Sequence, residues 1–169
     1  MKFAHVRKSA LAATILGAAM LAMVSAPAFA TTTTATFTVS ASVQGSCTIS
    51  ATALSFGAYT GTALPGTSTV SVNCTGGTTY NVGLNPGIAT GATVTTRKMT
   101  GQYLHGTLAY SLFSNSGMTT NWGNTVGTDT VAGTGTGAAQ TLTVYGNIPT
   151  ATAPAADGYS DTITATITY

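Results

Sequence analysis

The chain has 169 residues, and only 5% of them are charged, against the roughly 25% that is usual in a soluble domain. Three of the five cations lie in the first eight residues, so residues 31–169 keep two cations and three aspartates, a net charge of −1. This excludes a basic patch for nucleic acid or for an anionic membrane surface, and so little charge favours association with other chains.

The first thirty residues have the three parts of a secretory signal peptide. Residues 2–8 carry three cations, residues 10–24 are apolar, and residues 28–30 (AFA) form a small-x-small cleavage site. The apolar run is shorter than the about 20 residues that a membrane-spanning helix needs. We therefore expect residues 1–30 to be removed, and the remaining chain to be exported without membrane insertion.

The segment 31–45 follows the expected cleavage site. Apolar and polar residues alternate strictly from position 35 to position 43, which is typical of a half-buried β-strand. Because nothing local covers its apolar face, this strand needs an acceptor groove in its own domain or in another molecule. The apolar face consists of Ala35, Phe37, Val39, Ala41 and Val43.

The two cysteines, Cys47 and Cys74, both lie in the exported part of the chain. A disulfide between them is the default expectation for an exported protein. A redox-active pair would more often have the C-x-x-C spacing, which is absent here.

Residues 46–169 are rich in Thr, Gly, Val and Tyr, and we expect them to form one all-β domain, a sandwich or barrel of seven or eight strands. The stretch 114–137 has little pattern and is expected to be a surface loop. Counting the N-terminal alternation, the candidate strands run over 35–50, 53–59, 68–75, 78–84, 92–98, 107–113, 140–146 and 161–169. The last of these alternates like the first, with its apolar face made of Ile163, Ala165, Ile167 and Tyr169.

Residues 31–169 contain no Glu and one His, His105, so they exclude paired-Glu acid–base chemistry and a multi-histidine metal site. The nucleophile motif G-x-S-x-G is also absent. We expect no enzyme activity, no catalytic residue, no metal and no cofactor. Exposed aromatic residues could instead stack on a sugar, and the candidates for such a groove are Tyr80, Tyr103, Tyr110, Trp122 and Tyr145.

A series of short motifs after Cys47 resembles the spore coat protein U domain family, whose members include pilins of the archaic chaperone–usher pathway. Each motif alone is weak, but their order and spacing together are specific, and they cover essentially the whole exported chain. The motifs are FGAY at 56–59, VSVNC at 70–74, TYNV at 79–82, RKM at 97–99, LAYSLF at 108–113, WG at 122–123, VYGNIP at 144–149 and GYSDT at 158–162.

The resemblance implies an immunoglobulin-like β-sandwich that lacks its final strand and is completed by donor-strand exchange. In such pilins a periplasmic chaperone first fills the groove, and at the outer-membrane usher the N-terminal extension of the next subunit replaces it. Mapped onto this chain, residues 31–45 would be the donor extension, and Ala35, Phe37, Val39, Ala41 and Val43 the inserting face. The last strand, with Ile163, Ala165, Ile167 and Tyr169, would border the groove and contact the chaperone.

The function that the resemblance implies is a structural subunit of an extracellular fibre (a pilus), supporting adhesion or biofilm formation. Its partners would be neighbouring pilin subunits, of the same or another kind, the periplasmic chaperone and the usher. The chain would pass through the periplasm to the cell surface. The alternative is a self-complete secreted β-sandwich that folds with its own N-terminal strand and binds a surface carbohydrate or serves as a coat protein.

Overall fold

The computed structural model describes residues 27–169, so the predicted signal peptide lies outside the described residues apart from positions 27–30. The chain divides into two units after Ser40. Residues 27–40 have no regular secondary structure and are exposed throughout. Residues 41–169 contain nine strands: β1 (Cys47–Ala51), β2 (Leu64–Cys74), β3 (Thr79–Leu84), β4 (Arg97–Gly101), β5 (Thr107–Phe113), β6 (Val131–Thr134), β7 (Ala139–Ile148), β8 (Tyr159–Ser160) and β9 (Ala165–Thr168).

The strands form two antiparallel sheets. The larger sheet has the order β1-β2-β7-β5-β4-β8, and the smaller sheet has the order β6-β3-β9. The predicted all-β sandwich is confirmed. Within residues 27–169, no helix has the length and apolar character that crossing a membrane requires.

Strand alternation explains where the core lies. In β2 the side chains of Val70, Val72 and Cys74 are buried, whereas their neighbours Ser71 and Asn73 are not. The other strands contribute their inward faces in the same way, so the apolar side chains meet between the sheets. The remaining buried hydrophobic residues are Tyr80, Val82, Leu84, Leu108, Tyr110, Leu112, Trp122, Val144 and Ile148.

Several predicted strand boundaries are wrong. Strand β1 begins only at Cys47, where its pairing with Cys74 begins, and residues 35–46 contain no strand. No strand forms over 53–59, since these residues have no ladder partner in the part of the chain that the structure describes, and a φ of 80° at Gly57 interrupts the extended run. The stretch 114–137, expected to be a loop, contains β6.

Two further boundaries are shifted because local hydrogen bonds compete with the ladder. The predicted strand 92–98 becomes β4 only from Arg97, since Thr93 and Thr96 close a turn before it. The predicted strand 161–169 is shortened to β9, because the amide of Thr164 donates to the Asn85 side chain at 2.9 Å instead of to a strand.

The disulfide expected between Cys47 and Cys74 is present, with an S–S distance of 2.06 Å. The two residues are directly opposite in the β1–β2 ladder. Within residues 27–169, β1 pairs only with β2, so the disulfide attaches this edge strand covalently to the sheet.

Replacing both Cys47 and Cys74 by Ala should lower the free energy of unfolding by about 3–4 kcal/mol, because the bridge closes a loop across 27 positions. Urea unfolding of the exported protein, followed by tryptophan fluorescence, measures the change. Adding a reductant should weaken the original protein to the same extent and leave the double variant unaffected.

Arg97 is a charged residue in the core, with 0% of its side chain exposed. Its guanidinium donates to four backbone carbonyl oxygens: those of Leu84 (2.9 Å), Asn85 (3.0 Å), Val94 (2.7 Å) and Trp122 (2.7 Å). Burial lowers the pKa of Arg97 from its ordinary value, although nearby negative groups oppose that change. The side chain therefore ties the end of β3 to two loops that are distant in sequence.

Candidate functional site

The candidate site lies near the edges of the two sheets that end in β1 and β9. Strand β1 is the last strand at one end of the larger sheet, and β9 is the last strand at one end of the smaller sheet. The two strands lie beside each other but are not hydrogen-bonded as a ladder. In the part of the chain that the structure describes, the outer edge of β9 thus keeps its backbone N–H and C=O groups without a partner strand.

A groove lies where the chain leaves β1 and where it approaches β9. Its first part is a cavity of about 390 Å³ between residues 51–56 and residues 159–165. A second cavity of about 560 Å³ adjoins it and extends toward residues 153–158. The two cavities share Leu54, Phe56, Met99 and Tyr159 in their linings, and we call this adjoining pair of cavities the groove.

The surface of the first cavity is largely apolar. Core side chains of the larger sheet form its floor, and the segment 51–56 and the start of β9 form its two sides. Such a surface is suited to alternating apolar side chains of an extended peptide. The apolar side chains that line it include Leu54, Phe56, Val70, Leu84, Met99, Tyr110, Leu112, Val144, Ile163 and Ala165.

Asp161 is a charged residue in the lining of the first cavity. Its carboxylate accepts hydrogen bonds from the Tyr110 hydroxyl at 2.6 Å and from the backbone N–H groups of Ile88 and Thr162, each at 2.8 Å. Burial, and then the hydrogen bond to Asp161, raise the pKa of Tyr110 above its ordinary value, so the phenol stays protonated. The pair holds the segment before β9 against the β5 strand.

Asp157 orders the turn between β4 and β5 at the far end of the groove. Its carboxylate accepts hydrogen bonds from the backbone N–H groups of Leu104 (2.8 Å), Tyr103 (2.9 Å) and Gly158 (2.7 Å). These bonds, that of Leu104 first, lower the pKa of Asp157 below its ordinary value. The side chains of Tyr103 and Leu104 remain exposed on this turn.

The structure places the residues of the predicted groove border in different surroundings. Ile163 and Ala165 line the first cavity, and Ile167 is half-buried and packs against the core. Tyr169 is 61% exposed and does not share this packing.

The residues of the predicted inserting face are all exposed and lie outside any strand. Phe37, Val39 and Val43 are 87%, 82% and 86% exposed. Ala35, Phe37 and Val39 belong to the unit that ends at Ser40, and Ala41 and Val43 to the unit that follows it.

Two groove residues were missed as functional residues by the sequence analysis. Leu54 and Phe56 line both cavities, and their alternation with Ser55 was interpreted only as a strand. The aromatic residues proposed for a sugar-binding groove do not form one exposed surface, because Tyr80 and Trp122 are at most 2% exposed. Among residues 27–169, no cluster of three His, Cys, Asp or Glu side chains is arranged to hold a metal.

Comparison with known proteins gives a family match and a curated relative. Residues 33–166 match the family described as the Spore Coat Protein U domain. The chain is 34% identical to Protein U of Myxococcus xanthus over 178 aligned positions, which cover 96% of this chain and 98% of that protein.

The fold is also similar to that of a solved structure. This is the crystal structure of the CsuC–CsuE chaperone–tip adhesion subunit pre-assembly complex, from the archaic chaperone–usher Csu pili of Acinetobacter baumannii. The TM-score is 0.58 with 24% sequence identity, and the match covers 75% of this chain but 40% of the matched chain. At this identity the likeness shows the fold.

Proposed function

The chain belongs to the Spore Coat Protein U domain family, and from this membership and the open groove we propose that it is a structural subunit of an extracellular fibre. Subunits are joined by donor-strand complementation, in which an extended segment of one chain fills the groove of the next. The observation that carries the proposal is the apolar groove between residues 51–56, which follow β1, and residues 159–165, which lead into β9. The exposed alternating segment 35–43 is the matching donor.

The donor contributes its apolar face. The inserting residues are Ala35, Phe37, Val39, Ala41 and Val43, and residues 31–45 are the donor extension. Burying Phe37, Val39 and Val43 contributes about 5–9 kcal/mol, at about 1.5–3 kcal/mol for each side chain. Ordering the segment costs about 1–2 kcal/mol per residue, so hydrogen bonds along the acceptor edge must add to the apolar gain.

The acceptor contributes β9 and the residues before it. The outer edge of β9 offers backbone groups for strand addition, and Ile163 and Ala165 supply the side of the groove. Ile167 and Tyr169 continue the same face toward the end of the strand. Ile163 and Ala165 border the groove, and all four residues contact the chaperone before assembly.

An empty groove would make the free subunit prone to aggregate, and for this reason we infer a chaperone partner. Exposed apolar core and an unpaired strand edge promote aggregation, so the subunit needs a temporary strand during export. The fold likeness to a structure that contains a chaperone and a pilus subunit supports this partner. We propose export through the periplasm, assembly at an outer-membrane usher, and a fibre at the cell surface that supports adhesion or biofilm formation.

A second candidate function is that of a self-complete coat protein. The observations that favour it are the family's description as the Spore Coat Protein U domain and the 34% identity to Protein U over 98% of that protein. In that case the N-terminal segment fills the groove of its own chain, and no second molecule is needed.

A chain that begins at Ser46 tests whether the groove needs an added strand, which both functions require. We expect residues 46–169 alone to aggregate or to unfold without cooperativity, because the groove stays empty. Adding a peptide of residues 31–45 in trans should restore a monomer with a cooperative thermal transition, measured by circular dichroism and size-exclusion chromatography. A peptide of the same length with Phe37→Asp is the control and should not rescue it.

Two other results would contradict the proposed strand exchange between subunits. If residues 46–169 are monomeric and melt cooperatively without peptide, strand complementation is wrong. If the chain from residue 31 onward is a stable monomer at high concentration while the shorter chain aggregates, the self-complete coat protein is the better description.

A further inference from the structure

Two glycines face each other beneath the groove. Gly66 of β2 and Gly146 of β7 are direct partners in the ladder between the two strands. Glycine in the interior of a strand weakens it, and it often marks a place where other atoms approach the backbone closely. Here the approaching groups are the side chains of Leu54 and Phe56.

The distances leave no room for a larger residue. A Cβ atom on Gly146 would lie 2.8 Å from Leu54 Cδ1 and 2.8 Å from Phe56 Cζ. A Cβ atom on Gly66 would lie 3.0 Å from Phe56 Cδ1 and 3.2 Å from Leu54 Cδ2. Both side chains therefore rest directly on the sheet backbone.

This position matters because Leu54 and Phe56 belong to a segment without a strand ladder and line both cavities. The sheet is behind them, so an added methyl group can displace them only toward the cavity. The clashing atoms are the ends of flexible side chains, and such a displacement leaves the sheet itself intact.

We propose that the Gly66–Gly146 pair sets the depth of the groove at the site that receives the largest donor side chain, Phe37. The inference rests on the proposed donor-strand function and adds the register of the donor. Phe37 packs against Phe56 and Tyr110, whose ring centroids are 6.2 Å apart with an interplanar angle of 62°. Both of these rings line the first cavity, and aromatic side chains pack favourably in such edge-to-face clusters.

The remaining donor residues support this register. Phe37 is the one aromatic residue of the inserting face, and the others are Val or Ala. A small side chain tolerates a shallower site, whereas a phenyl ring does not. The two glycines are thus positioning residues that act through Leu54 and Phe56.

A double-mutant cycle tests the proposal. The acceptor is the exported chain with Phe37→Asp, so that its own segment does not compete, with or without Gly146→Ala. Its groove is first filled by unlabelled peptide of residues 31–45 to keep it soluble, and affinities are measured by displacement of that peptide. The donors are fluorescent peptides of residues 31–45, either unchanged or with Phe37→Val. Gly117→Ala is the matched control, because its added Cβ meets only the Asn115 side-chain nitrogen, at 3.4 Å.

We expect Gly146→Ala to weaken binding of the unchanged peptide by about tenfold or more, and binding of the Phe37→Val peptide by no more than about threefold. Gly117→Ala should change neither affinity. An added Cβ at Gly66 has longer contacts than one at Gly146, so Gly66→Ala should show the same preference against the unchanged peptide with a smaller difference in affinity. This variant replaces Gly146→Ala if Gly146→Ala does not fold. A merely structural role would weaken both peptides equally.

The same experiment distinguishes a failure of the donor-strand function from a failure of the proposed register. If the unchanged peptide does not bind the acceptor that keeps both glycines, the donor-strand function itself is wrong. If it binds, but Gly146→Ala and Gly66→Ala weaken both peptides by the same factor or not at all, the function stands and the proposed register is overturned.

Discussion

Replacing Phe37 by Asp should lower the equilibrium constant for fibre assembly by at least about a thousandfold. The change removes about 1.5–3 kcal/mol of apolar burial. It also places an unpaired carboxylate in an apolar groove, which costs several kcal/mol more. The sum exceeds about 4 kcal/mol, and each 1.4 kcal/mol is a factor of ten.

Electron microscopy of secreted material and sedimentation of the purified chain measure this effect. Thr38→Asp is the matched control, since it adds the same charge at the next position on the opposite face of the alternating segment. Thr38→Asp should form normal fibres. Fibres of normal number and length with Phe37→Asp would show that residues 35–43 do not insert as proposed.

Replacing Arg97 by Met should lower the free energy of unfolding by roughly 3–5 kcal/mol, the range found when one partner of a buried charged network is removed. The guanidinium is fully buried, and it satisfies the carbonyl oxygens of four residues from the end of β3 and two loops. Methionine fills a similar volume but removes the donor of all four bonds. The bonds to Leu84 and Trp122 are buried, and an unpaired buried carbonyl group is costly.

Urea unfolding of the subunit with its groove filled by the peptide of residues 31–45 measures this loss. Lys98→Met is the control, because Lys98 is the adjacent cation, is only half-buried and lies on the other face of β4; it should change stability by less than about 1 kcal/mol. Arg97→Lys should recover only part of the stability, since one ammonium cannot reproduce the planar donor geometry. A loss below about 1 kcal/mol for Arg97→Met would mean that water replaces the guanidinium.

Much of the fold follows from the local pattern. The strands at 68–75, 78–84, 107–113 and 140–146 were predicted close to β2, β3, β5 and β7, because an inward-facing residue at every second position is visible within a few residues. The disulfide followed from export and cysteine count. The motif order led to the family, and residues 33–166 match it.

The wrong predictions at 53–59 and at 161–164 share one cause. An alternating segment becomes a strand only where a neighbouring strand accepts its hydrogen bonds, and alternation carries no information about that neighbour. Residues 53–59 alternate, yet Leu54 and Phe56 pack on two glycines and the segment has no ladder. Residues 161–164 alternate as well, but Asp161 and Asn85 side chains take their backbone hydrogen bonds.

Arg97 shows that the sequence also does not reveal which charged side chain is buried. The sequence shows two adjacent cations and cannot tell which is buried, because the four acceptors come from positions 84, 85, 94 and 122. Only the folded chain brings these carbonyl groups around one side chain.

The sequence by itself determined that residues 35–43 carry an apolar face that needs a partner, since that face is a local property of alternation. Only the tertiary structure decided where a groove exists, what lines it and how deep it is. The reason is that β1 and β9 become edges through the order of strands in two sheets, and that Gly66, Gly146, Leu54 and Phe56 meet through contacts between distant parts of the chain.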